Sequence, residues 1–173
     1  MDEFNLSKSS LLVYLECPRK FFYRYIRKIP VEQTVWSEIG EKFHRFAHDF
    51  FDLVKQSELE RKTSFHETRE YFNSLVDFSK DKIIEGMKRN FVTFEAKRWV
   101  SLYDYELWFP VYRELKVENP RRHLIGIIDR IDRTNTGEYV IIEYKVGGKM
   151  ELSKLRKELT FYFILLQEAK DID

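Results

Sequence analysis

The stretch Leu124-Ile125-Gly126-Ile127-Ile128-Asp129, followed after a short connection by Tyr139-Val140-Ile141-Ile142-Glu143-Tyr144-Lys145, decides the reading of this chain. Runs so rich in Ile and Val predict buried central strands. Asp129 closes the first run, and Glu143 with Lys145 closes the second. Charged groups there are costly unless they pair or bind something. Residues two apart on a strand share a face, so Glu143 and Lys145 are expected to point one way and Tyr144 the other. Two carboxylates and a lysine on one sheet edge suit a hard divalent metal. Carboxylate-held ions can activate water and neutralise a scissile phosphate, so the pattern points to metal-assisted phosphodiester hydrolysis. On spacing alone, an ordinary cross-strand ion pair accounts for the same residues equally well.

Thr134-Asn135-Thr136-Gly137 between the two runs predicts a tight antiparallel hairpin. Upstream, Tyr105 to Val117 reads as a further strand and Asn119-Pro120 as a turn. The strands are expected to span His123–Asp132 and Tyr139–Val146, with Gly147-Gly148 leading to a last helix from Leu152 to Ala169. The N-terminal part reads as helical. Ser7 caps an opening segment that Pro18 interrupts and Pro30 ends. Ile39, Phe43, Phe46, Ala47, Phe50 and Val54 form one stripe on a helix from Ser37 to Val54. Thr63 to Trp99 predicts two or three more amphipathic helices. The expected fold class is α/β, a mixed central sheet flanked by helices. It is read as one domain, 1–173, with the helical part over about 1–100 and the sheet over about 101–173.

A chain of 173 residues can bury a real core. Its net charge of +1 gives no global signal for nucleic acid, so such a surface must come from local clustering. Arg19, Lys20, Arg24, Arg27 and Lys28 supply one cluster, interleaved with Phe21, Phe22, Tyr23 and Tyr25. Basic groups contact phosphates and aromatics stack on unpaired bases; a solvated helix face with its rings in the core is the plainer alternative. Lys149, Lys154, Arg156 and Lys157 form a second basic group. No apolar stretch approaches the roughly 18–20 residues of a membrane span, and the start lacks a basic signal-peptide region, so a cytoplasmic protein without membrane partners is expected. His44 borders the apolar stripe, where lone histidines are mostly structural. With His48 it also has the spacing of a helical zinc pair, but Arg45 stands where a general-base glutamate would. Glu114 reads either as an extra acid near the metal or as a surface partner of Arg113 or Lys116.

Five motifs in order carry a resemblance. They are Ser7-Lys8-Ser9-Ser10-Leu11-Leu12-Val13-Tyr14-Leu15-Glu16-Cys17-Pro18-Arg19-Lys20-Phe21-Phe22-Tyr23-Arg24-Tyr25, then Gly40-Glu41-Lys42-Phe43-His44, Gly126-Ile127-Ile128-Asp129, Ile142-Glu143-Tyr144-Lys145, and Glu158-Leu159-Thr160-Phe161-Tyr162. Together they resemble the RecB-like branch of the PD-(D/E)XK nuclease superfamily, which includes CRISPR-associated exonucleases and AddB-type nuclease domains. The resemblance implies a restriction-endonuclease-like fold with Mg2+ or Mn2+ as cofactor. His44, Asp129, Glu143 and the backbone carbonyl of Tyr144 would hold the metal. Lys145 would be the catalytic lysine, acting with Asp129 and Glu143, and Tyr162 would lie near the scissile phosphate. Glu158 stands where the family has glutamine, and a carboxylate there repels phosphate. Arg19, Lys20, Arg24 and Lys149 would contact DNA.

Iron–sulfur members of the branch pair a cysteine at the position of Cys17 with three more after the last helix. Cluster ligation needs four protein ligands, and this chain has one cysteine. No iron–sulfur cluster within this chain is therefore expected; Cys17 is either a small hydrophobe or joins cysteines in a longer protein. The family core also adds a strand after its final helix. The resemblance thus implies either an exposed sheet edge covered by a homo-oligomer or a partner subunit, or a longer protein whose further part supplies that strand. The expected activity is metal-dependent cleavage of DNA, on single strands or ends, in repair, recombination or CRISPR adaptation. The competing reading is a non-catalytic nucleic-acid-binding or assembly subunit that keeps the fold.

Overall fold

The computed structural model describes residues 4–79, 82–146 and 151–167. It is a mixed α/β fold with a helical N-terminal half. The elements are β1 (Leu6–Ser7), α1 (Lys8–Glu16), α2 (Pro18–Phe21), a π-helical turn (Phe22–Ile26), α3 (Val35–Leu53), α4 (Gln56–Leu59), α5 (Phe65–Leu75), α6 (Glu85–Leu102), α7 (Tyr105–Trp108), β2 (Tyr112–Asn119), β3 (Leu124–Arg133), β4 (Tyr139–Ile142) and α8 (Leu152–Leu166). The strand order is β1-β3-β2, with β4 also on β3. β1 pairs with β3 in parallel, Leu6 opposite Leu124, and β4 pairs antiparallel, Arg130 opposite Ile142. No described helix is long and apolar enough to cross a membrane.

The chain forms two compact units. One comprises residues 1–33, 115–128 and 147–173, and the other residues 34–114 and 129–146. In the first, Ser7 caps α1 in a reciprocal box with Ser10, satisfying donors that the first helical turn leaves open. Pro18 begins α2, where its missing N–H costs nothing. α8 buries Glu158, Phe161, Tyr162 and Leu165 on one stripe. It approaches β3 so closely that a Cβ on Gly126 would sit 2.7 Å from Leu165 Cδ2, so the position accepts only glycine without a shift.

The second unit is built on an aromatic core. α3 buries Ile39, Phe43, Ala47 and Phe50 of the stripe read from its spacing, and Phe51 beside them, while Phe46 is partly buried. Phe72, Phe91, Trp99 and Trp108 close over it from α5, α6 and α7. The indole of Trp99 donates to Lys62 O at 2.8 Å and that of Trp108 to Glu95 O at 3.2 Å. Inside this core lies an ion network. Arg130, 1% exposed in its side chain, donates to Glu95 at 2.6 Å and to both carboxylate oxygens of Asp132 at 2.7 Å. Arg98 bridges the same two acids at 2.7 and 3.0 Å.

Two strands differ from expectation. The segment from Tyr105 is first a helical turn, because Asp104 caps it by accepting from Leu107 N at 3.1 Å; β2 begins only at Tyr112. β4 ends at Ile142 rather than Val146. Two residues on, the Tyr144 N–H donates to the Asp129 side chain at 2.8 Å and is taken out of the ladder. β1 and the short α4 were not legible from periodicity. Gly147, Gly148 and Ala169 lie outside the described residues.

Arg130→Ala leaves two buried carboxylates with one cation between them. It is expected to cost about 3–5 kcal/mol in urea unfolding, with part recovered when Glu95→Gln is added.

Candidate active site

The second unit holds six of the expected residues, His44, Glu114, Asp129, Glu143, Tyr144 and Lys145. α3 presents His44 one turn before His48, and its Nδ1 lies 3.2 Å from Asp129 Oδ1. The other oxygen of Asp129 accepts the Tyr144 N–H, so the carboxylate is fixed from two sides. Its side chain is 11% exposed. Glu143 is more deeply buried, and its Oε1 accepts from Lys145 Nζ at 2.7 Å. Tyr144 turns the other way: its ring packs edge-on against Phe43, His44 and Phe91, and its hydroxyl lies 3.3 Å from Arg130. The alternation read from the sequence is therefore kept, although β4 has already ended.

Glu114 lines a small cleft with His44, Ala47, His48, Arg113, Asp129 and Tyr144. It lies within β2 with φ +47°, a left-handed backbone that non-glycine residues adopt at a cost of about 1–3 kcal/mol. Its neighbour Arg113 pairs instead with Asp52 at 2.7 Å. The hydrogen bond to Asp129 raises the His44 pKa above its ordinary value, against the opposing pull of burial, and the charges of Asp129, Glu143 and Glu114 add to the rise. Three acids thus bear on one imidazole. Burial pushes the Tyr144 phenol up to about 12, with Arg130 pulling the other way, so it stays a neutral hydroxyl.

These residue types suit a hard divalent cation, but His44, Glu114, Asp129 and Glu143 do not form a group whose ligand atoms all lie within 4.8 Å of one another. His44 and His48 take different partners, since His48 pairs with Asp49 at 2.9 Å. Among the described residues, the group whose ligand atoms all lie within 4.8 Å of one another is His48, Asp49 and Asp52. It is largely exposed, and Asp52 is already held by Arg113.

The other expected residues lie in the first unit. The Tyr162 hydroxyl donates to Ile127 O at 3.0 Å, and the residue is 1% exposed. Glu158 is buried on the same stripe of α8. Arg19, Lys20 and Arg24 are exposed. Lys20 pairs with Glu16 at 3.0 Å, whereas Arg19 lies 5.8 Å from the Tyr23 ring and Arg24 5.6 Å from the Tyr25 ring. Phe22 and Tyr23 are each 42% exposed, so these rings are not core. Lys149 lies outside the described residues. The sequence reading missed Arg130. Its signal was a charge pair, Arg130 and Asp132, on either side of Ile131 at the end of an apolar run.

The profile of the PD-(D/E)XK nuclease superfamily matches residues 5–172, and the chain belongs to that superfamily. Among curated proteins it is similar to the B subunit of the ATP-dependent helicase/deoxyribonuclease of Thermoanaerobacter sp. (strain X514) and to that of Thermoanaerobacter pseudethanolicus (strain ATCC 33223 / 39E). Each is 26% identical over 201 residues, covering 96% of this chain. The chain spans 17% of the length of these relatives. They agree with the RecB-like resemblance read from the motifs. No solved structure matches significantly.

His44→Ala is expected to weaken Mn2+ binding about tenfold or more by calorimetry, while His48→Ala changes it little. Equal losses from both would move the metal to the outer face of α3.

Proposed function

We propose that this chain is a metal-dependent deoxyribonuclease that hydrolyses phosphodiester bonds, on single strands or at DNA ends, in repair, recombination or CRISPR adaptation in the cytoplasm. The observation that carries this reading is the joining of His44, Asp129 and Tyr144 around one carboxylate, with Glu143 and Lys145 paired beside it in sequence. The word deoxyribonuclease in the names of the relatives supports DNA as substrate.

His44, Asp129, Glu143 and the Tyr144 carbonyl are the ligands for Mg2+ or Mn2+, with Glu114 a further acid nearby. When bound, the ion supplies an activated water and charge on the phosphate. The Tyr144 N–H and the His44 imidazole hold Asp129 in one orientation. Lys145 offers a compact positive charge that, turned from Glu143 to a phosphate, stabilises the developing oxyanion. Tyr162 packs along the strand, and Glu158 orients backbone or water rather than phosphate. Arg19, Lys20, Arg24 and Lys149 contact phosphates, and Phe22 and Tyr23 offer faces for unpaired bases. A second copy or a partner subunit is the proposed neighbour along the edge of the sheet.

Asp129→Ala, Glu143→Ala and Lys145→Ala are each expected to lower Mg2+- or Mn2+-dependent cleavage of labelled DNA at least about a hundredfold, with circular dichroism unchanged. The first two also weaken ion binding; Lys145→Ala largely spares it. Wild-type cleavage by any of the three would sink the assignment. Replacing Arg19, Lys20 and Arg24 together by alanine is expected to weaken DNA binding and flatten its salt dependence, by about 0.7 in log–log slope for each phosphate no longer neutralised. An unchanged slope would return that segment to plain solvated surface.

A further inference from the structure

The first unit contains a cavity of about 430 Å³ that none of the roles above uses. Its volume falls within the range of small-ligand sites, about 300–1,000 Å³. Lys8 and Lys116 bring two ammonium-bearing side chains to its lining, with Ser9 beside Lys8 in the chain. Val117, Ile125, Gly126, Ile127 and Tyr162 supply apolar surface. Ile127 is 51% exposed, an unusual state for a branched apolar residue in a central strand. The wall is also held in place. The Tyr162 hydroxyl is tied to Ile127 O at 3.0 Å, and the Lys8 ammonium stands 4.8 Å from its ring centroid. Gly126 lets α8 close down to form the floor, since any side chain there would meet Leu165, Phe161 and Tyr162.

A cavity lined by both ammonium groups and apolar side chains matches one chemical unit in particular. A nucleotide carries a phosphate at one end and a base with a π-face at the other. Lysine binds phosphate as a point charge, and aromatic or aliphatic faces hold a base without reading its identity. We propose that this cavity holds one nucleotide of a bound DNA strand, its phosphate between Lys8 and Lys116 and its base against Ile125 and Ile127. The proposal rests on the deoxyribonuclease reading and adds to it a strand-holding subsite made by different residues from the metal ligands. Glu118 also lines the cavity and opposes the phosphate charge. It tempers the affinity, so a strand can leave after cleavage.

Binding of a short fluorescent oligodeoxythymidine in metal-free buffer tests this apart from cleavage. Lys8→Ala with Lys116→Ala is expected to raise Kd about tenfold or more and to lower the salt slope by about 0.7 for each lysine that no longer meets a phosphate. Ser9→Glu is expected to raise Kd in the same way. Acid in the first turn of a helix favours folding, so loss of binding there is not loss of structure. Glu118→Gln is expected to tighten binding about twofold. Thymidine monophosphate should displace the oligonucleotide better than equimolar inorganic phosphate. Equal displacement would reduce the cavity to an anion site and overturn the nucleotide assignment. If wild-type protein cleaves DNA with Mg2+ while these variants bind as wild type does, the subsite is wrong and the nuclease reading stands. Weakened variants with no metal-supported cleavage in the wild type would remove the nuclease reading and keep the strand subsite. A wild type that binds no oligonucleotide overturns the subsite.

Discussion

The ion network around Arg130 is the constraint on which the second unit depends. Burial alone would pull the guanidinium down. Glu95 and Asp132 more than offset it and leave Arg130 held above its ordinary range. With Arg98 on the same acids, two cations face two carboxylates inside an aromatic core, so the charges balance without water. Buried ion pairs add little stability over a well-packed apolar core, but they strongly penalise any arrangement in which one member loses its partners. The network therefore acts as a register pin. Arg130 and Asp132 belong to β3 and Glu95 and Arg98 to α6, so a slip of the strand by one residue would leave four charges unmatched.

That pin reaches the proposed metal site in two steps. Asp129 precedes Arg130 on β3, so fixing Arg130 fixes the carboxylate on the opposite face. Tyr144 then couples the two faces of the chain. Its hydroxyl lies against Arg130, its ring packs on Phe43 and Phe91, and its backbone N–H grips Asp129. A ladder bond is given up for this interaction, which is why β4 stops at Ile142. The strand end and the site are one feature, and the left-handed Glu114 on β2 shows the same yielding of regular geometry near the same imidazole.

How much of this was legible follows from how far each signal reaches along the chain. The stripe on α3 and the apolar runs of β3 and β4 are strong signals; α3 and β3 stand where these put them, and β4 begins where its run does but stops at Ile142. α7 was taken for strand because Tyr105 and the residues after it have strand-like composition, while the Asp104 cap outweighed that preference locally. β1, with two residues, is too short to carry any period. The Arg130 network was illegible because half of it comes from α6, and nothing in the linear chain pairs Glu95 with Arg130. For the site, residue types and order pointed to His44, Asp129, Glu143 and Lys145. The Tyr144 N–H bond, being backbone to side chain, leaves no mark in a sequence. The basic cavity of the first unit escaped for a similar reason, since Lys8 and Lys116 lie far apart in the chain.

The choice between ion pair and catalytic site, open on spacing alone, dissolves in the geometry of Glu143 and Lys145. A carboxylate whose side chain is only 6% exposed needs positive charge beside it whether or not a cation is bound. Lys145 supplies that charge from two residues away, at 2.7 Å, on the partly open side of the pair. The His44 imidazole, its pKa raised chiefly by the hydrogen bond to Asp129, holds the second carboxylate at 3.2 Å. Each acid is thereby partnered within the protein, by groups whose proposed work is to face a metal and a phosphate. The ion pair is then the resting arrangement of the residues proposed for catalysis. Lys145, 36% exposed in its side chain, is the member of the pair with room to turn towards a phosphate, as the proposed role requires.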